Sequence, residues 1–214
     1  MNRQKAINIR KISKENLLKK FQIQSLKDVL ITLLYSLIAI VCYILISLLP
    51  KPYTMVGLLK FGVIPALSLI PLLGAIRGPL AGFITGFFGP LFFDLIFNQI
   101  VLAFTISYLP FGILGFLVGL ARYQLNNGKS LVKLALLSTL AFFLSVILLT
   151  VISLTIQQTS LLVVLGYVTL PLLAMGIPSI FLLTPLYSRL WHILSINAYP
   201  FVKNLLGKLK SRAE

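Results

Sequence analysis

The chain has 214 residues, 58% of them hydrophobic and 11% charged, with 19 Lys and Arg against four acids. A soluble domain carries about 25% charged residues, so the composition excludes a water-exposed globule and predicts an integral membrane protein. The net charge of +15 does not imply a nucleic-acid partner: the basic residues stand at the chain ends and in short gaps between apolar runs, not over a globular face.

Residues 1–27 are basic and polar, and no short apolar region with a small-residue cleavage site follows them, so they are not a signal peptide. They mix Ile9, Ile12, Leu17 and Phe21 with lysines. Either a plain topogenic tail or an amphipathic helix on an anionic inner leaflet fits. Ser25 and Asp28 form a possible capping box at the start of the first apolar run.

A helix needs about 20 apolar residues to cross the hydrocarbon core. Six such runs are present, near 28–49, 58–76, 79–98, 101–121, 131–156 and 166–190. The predicted fold is therefore all-α: a six-helix transmembrane domain over 28–190, with a basic tail over 191–214. Placing the N-terminus in the cytoplasm puts seventeen Lys and Arg inside and only Lys51 and Lys60 outside. That asymmetry predicts both termini in the cytoplasm and a location in the cell membrane.

The first run holds the lone cysteine, Cys42, so no disulfide within the chain is possible. The second run carries Pro65 and Pro71, which predicts a kinked helix. Arg77-Gly78-Pro79 then predicts a tight inner turn, with Pro79 in the first helical turn where its missing N–H costs nothing.

In the third run Gly78, Gly82 and Gly86 recur every fourth residue, with Ala81 and Gly89 beside them. Residues four apart share a helix face. Helices in lipid gain little from burying leucine on leucine, and associate where small residues let backbones approach. Gly112, Gly115 and Gly119 repeat the pattern in the fourth run, so these two helices are expected to pack closely. The sixth run has Pro171, Pro178 and Pro185 seven apart on one face, which predicts a bent helix.

Catalytic chemistry finds little purchase. The one histidine, His192, stands beside Trp191 at the inner end of the last run. A metal site needs a cluster of His, Asp or Glu. Asn126-Asn127-Gly128-Lys129-Ser130 ends like a phosphate loop but lacks its first glycine and a preceding strand. Neither an enzyme nor a bound cofactor or metal is expected.

The polar residues gather instead at the predicted outer side. Asp94, Asn98 and Gln99 close the third run, and Ser107 and Tyr108 open the fourth. Gln157 precedes the sixth, and Tyr53 follows the first. Amides, hydroxyls and aromatics suit a neutral or weakly charged small molecule. An acid at a membrane span is a functional candidate by default.

The stretches "LIPLLGAIRGPLAGFITGFFGPLFFDL" and "LPFGILGFLVGLARYQLNNG" resemble the substrate-binding S component of energy-coupling factor (ECF) transporters, in riboflavin-type and related members. The resemblance implies a six-helix bundle with an outward pocket for a vitamin-like small molecule. It also implies an ECF transmembrane scaffold subunit and two ATPase subunits as separate partners. Family members often dock through an alanine-x-x-x-alanine pair in the first helix; here the nearest small residues are Thr32, Ser36 and Ala39. A membrane scaffold or assembly protein without a ligand, and a stand-alone small-solute carrier, remain the alternatives.

Overall fold

A computed structural model describes residues 26–50, 53–56, 59–99, 106–124 and 130–195. The basic segments over 1–25 and 196–214, with Ser25 of the proposed capping box, lie outside the described residues.

Six apolar helices follow one another: α1 Leu26–Ser47, α2 Pro65–Arg77, α3 Pro79–Phe97, α4 Ile106–Leu120, α5 Leu131–Thr155 and α6 Leu161–Ser195. Four of them (α1, α3, α5 and α6) are long and apolar enough to cross a membrane. α2 and α4 are shorter, between 10 and 17 residues. The predicted second span over 58–76 is corrected here. Its first residues belong to an antiparallel hairpin of β1 Tyr53–Val56 and β2 Leu59–Gly62, with Tyr53 opposite Gly62 and Val56 opposite Leu59. Only after Ile64 does the chain turn helical.

Pro65 marks the start of α2, in its first, 3-10 turn, and Pro71 lies just past the point where it changes from 3-10 to α-helix, in the first turn of Leu69–Arg77. The first N–H of a helix has no intrahelical acceptor, so Pro65 removes nothing there. Ser179 of α6 fixes this entry: its hydroxyl accepts from Ile64 N at 2.6 Å and donates to Met175 O at 2.5 Å.

α2 stops at Gly78, whose φ of 93° and ψ of −178° suit glycine and few other residues. Pro79 then starts α3 at once. α2, α3 and α4 form the tightest part of the fold, and their glycines explain why. A Cβ on Gly82 would lie 2.6 Å from the Gly115 carbonyl carbon, and one on Gly86 2.7 Å from that of Phe111. One on Gly119 would meet Pro79 N at 2.5 Å. Backbone lies on backbone, so nothing could move aside.

α6 runs antiparallel to α5. Thr150 and Thr169 share a hydrogen bond of 2.8 Å, and Gly176 lies over the Phe142 ring. The three prolines act on α6 in an unexpected way. It widens into π-helix over Val164–Thr169 and Ser179–Leu183. A proline collides with the carbonyl four residues before it. For Pro171 and Pro185 those carbonyls belong to Tyr167 and Phe181, one in each π segment. An extra residue per turn relieves the collision.

Polarity is inverted relative to a soluble protein. Leu30, Leu37, Leu140, Leu162 and Leu182 are exposed, while the buried polar side chains, tyrosines aside, are all Ser or Thr. Several close on carbonyls four residues back, as Ser36 does on Thr32 at 2.9 Å and Ser145 on Ala141 at 2.8 Å. Leucine outward and hydroxyl inward suits a hydrocarbon solvent; the hydroxyls of Thr85, Ser138 and Ser188 are buried without a hydrogen-bond partner. The core at the helix junctions is built from Leu67, Ile70, Leu114, Leu134, Phe142 and Ile180.

Candidate functional site

The polar cluster is assembled where α3 ends, α4 begins and α5 ends. Asp94 occupies the last turn of α3, and Asn98, one turn later, follows as its C-cap. The i, i+4 spacing puts the two on one face. Asn98 Nδ2 donates to Asp94 Oδ1 at 2.6 Å. The second carboxylate oxygen, Oδ2, accepts from the Tyr108 hydroxyl at 2.7 Å. Tyr108 is buried in the first turn of α4, so this bond ties the two glycine-packed helices at the end away from Gly78. Next to Tyr108 in the chain, the Ser107 hydroxyl accepts from Gln157 Nε2 at the end of α5.

A fourth helix completes the cluster. Tyr43 of α1 is buried against α3, and its ring fills the space left by Gly89, 3.1 Å from where a Cβ would lie. It is near enough to Asp94 for the two to interact electrostatically, and Ser47 stands one turn on along α1. A side chain at Gly89 would crowd the Tyr43 ring.

Of the six sequence-derived binding candidates, the structure brings four together: Asp94, Asn98 and Tyr108 directly, and Gln157 through Ser107. Gln99 is exposed beside Asn98 with a φ of 52°. Gln158 has the same φ after α5. Both helices thus end on a left-handed residue that is not glycine, and the two ends flank the cluster. Tyr53 falls on β1, but its side chain, like Lys51, lies outside the described residues. No described contact joins the hairpin to Asp94; β2 lies instead against Leu170–Pro178 of α6. Sequence reasoning missed Tyr43 and Ser47, whose only signal was two hydroxyls four apart in an apolar run.

The packing candidates fall where their spacing predicts. Gly78 makes the turn, and Gly82, Gly86, Gly112, Gly115 and Gly119 line the contacts of α3 with its neighbours. Gly74 of α2 joins them against Gly115. Thr32, Ser36 and Ala39 are buried inside the chain, along the α1 face that meets α3. A partner on α1 would therefore meet other residues of that helix.

Chemically, the cluster is a carboxylate held by two neutral donors with lone pairs to spare. No histidine, cysteine or lysine stands with it among the residues described. No three His, Cys, Asp or Glu side chains gather to hold a metal among the described residues. The arrangement can accept hydrogen bonds and stack aromatic rings, which is binding chemistry. No protein-family model matches the chain, and neither a curated protein nor a solved structure is significantly similar to it.

Proposed function

We propose that this chain is the substrate-binding membrane subunit of an ECF-type importer, capturing a vitamin or related micronutrient from outside. In this reading α2 and α4 complete a six-span bundle with both termini in the cytoplasm of the plasma membrane. The scaffold and two ATPase subunits are separate chains, and energy arrives from them.

One observation carries the proposal. Asp94, the acid in the last turn of α3, is not left among apolar side chains. It is held by Asn98 and Tyr108, from α3 and α4, which close-packed glycines hold together. An ionisable group in a membrane bundle persists where it does work. Its spare lone pairs suit N–H donors on a ring that Tyr43 and Tyr108 could flank.

Mass spectrometry of small molecules retained by the purified protein tests this. A heterocyclic vitamin-class compound should be found, and adding it back should raise the melting temperature. Asp94→Ala should weaken binding by about tenfold or more while the protein still folds, the usual scale for a hydrogen bond to a charged group. Unchanged affinity in that variant removes Asp94 from the site.

A second reading has an observation of its own. Both Asp94 oxygens already accept internal hydrogen bonds, as a purely structural tether would. A scaffold protein without a ligand would then show no retained molecule, and Asp94→Ala would lower stability alone.

A further inference from the structure

The opposite end of the molecule carries an arginine with an unusual setting. Arg77 closes α2, and its guanidinium carbon lies 5.7 Å over the ring of Tyr35 on α1. Tyr35 in turn meets Trp191 of α6 edge-on, with ring centroids 6.1 Å apart. Arg77 Nε is buried and has no hydrogen-bond partner. That N–H has lost water and gained no acceptor, and the accessible remainder of the side chain still carries a full charge.

The level of this group matters. Tyr35 stands nine residues into α1, about 14 Å along the axis from Leu26. Between the two, α1 exposes Val29, Leu30, Leu33 and Leu34; past Trp191, α6 exposes Ile193 and Leu194. The guanidinium is thus set along an apolar wall and not beyond it. A charge beside such a wall calls for a counter-anion. Two acids belong to described residues. Asp94 is at the far end, and Asp28, two turns before Tyr35, is engaged in an interaction of its own.

We propose that Arg77, Tyr35 and Trp191 form a seat for the phosphate of an anionic phospholipid, between α1 and α6 in the leaflet at the Arg77 end. A planar guanidinium offers the fork that phosphate oxygens accept. Tyr35 holds the guanidinium by its ring face. Trp191, 39% exposed, has the amphipathic ring that favours the headgroup level. The exposed leucines on either side give the acyl chains an apolar surface, and basic sites between membrane helices hold headgroups in this manner. The seat does not depend on the substrate reading; it rests only on the chain spanning a bilayer.

The test uses purified full-length protein in detergent, given equal amounts of phosphatidylglycerol and phosphatidylcholine with matched acyl chains. Native mass spectrometry counts the lipid retained, and scanning fluorimetry follows melting. Wild type should retain the anionic lipid about fivefold more, the scale of one basic residue at a membrane surface. Arg77→Gln should bring the ratio near one. Arg77→Lys, which keeps charge but loses the stacked fork, should fall between. Arg189→Gln, an exposed arginine on the same helix as Trp191, should leave the ratio unchanged. If Arg77→Gln does not fold, Arg77→Lys and Trp191→Leu carry the comparison, each lowering anionic retention. The same ratio in wild type and every Arg77 and Trp191 variant overturns the proposal. So does a melting shift that inorganic phosphate alone reproduces, which would mark a free-anion site.

Discussion

Tyr108 is the hinge pin of the Asp94 cluster, because its hydroxyl alone joins the carboxylate to α4. Tyr108→Phe keeps the ring and removes the donor. The half-buried acid would then lose one of its two partners, at a cost of about 1–3 kcal/mol for a hydrogen bond to a charged group. The melting temperature in detergent should fall accordingly, and the variant should keep its oligomeric state. No change in melting would mean that water replaces the phenol and that the tether is dispensable. Asp94 itself was legible in the sequence, since an acid closing an apolar, glycine-laddered run has few bland explanations. Tyr43 was not. A tyrosine within a span looks like any other large apolar side chain until Gly89 is known to face it.

Two glycines that look alike in sequence behave oppositely at the level of helices. Gly82 and Gly166 both sit in apolar helical segments. A Cβ at Gly82 would lie 2.9 Å from Gly74 Cα and nearer still to the Gly115 carbonyl, whereas one at Gly166 would have nothing within 4 Å. Gly82→Ala must push α3 off α2 and α4, and no flexible side chain is there to yield. It should destabilise by several kcal/mol, within the range of overpacked cores or above it, and show as loss of monodisperse protein. Gly166→Ala should be neutral or stabilising by up to about 1 kcal/mol, the helix-propensity difference. Equal outcomes for the pair would refute close backbone packing as the organiser of this trio. The ladder was readable because a spacing of four marks one helix face, and α5 was placed to within a residue by its uninterrupted apolar run. The hairpin was invisible for a physical reason. Residues 53–62 are short and mostly apolar, and their hydropathy merges with the run that follows. The π segments of α6 were hidden too: the prolines predicted a bend, and the helix also widens locally ahead of Pro171 and Pro185.

Taken as a whole, the molecule has two chemically distinct ends. One gathers a carboxylate, amides and tyrosine hydroxyls around Asp94. The other offers Arg77 with Tyr35 and Trp191. α3 separates Arg77 from Asp94 and is long enough to cross a membrane, so a bilayer would place the acceptors on one side and the cation on the other. In the proposed orientation, with positive charge retained on the cytoplasmic side, the Arg77 end is the inner one and the Asp94 cluster the outer one. Cysteine labelling tests this orientation together with the parity of spans. Cys42 is first replaced by alanine. In intact cells a membrane-impermeant maleimide should label Gln158→Cys, after α5, but not Arg122→Cys, before it. Leu26→Cys and Ser195→Cys, at the two ends of the described bundle, should both be labelled only after permeabilisation. An even number of crossings requires those two to behave alike. If Ser195→Cys reacts in intact cells while Leu26→Cys does not, the count is odd: either α2 or α4 fails to cross, and the six-span importer subunit is untenable. If Gln158→Cys is the protected site instead, the bundle is inverted, and the Asp94 cluster faces the cytoplasm, where it could not capture a nutrient from outside.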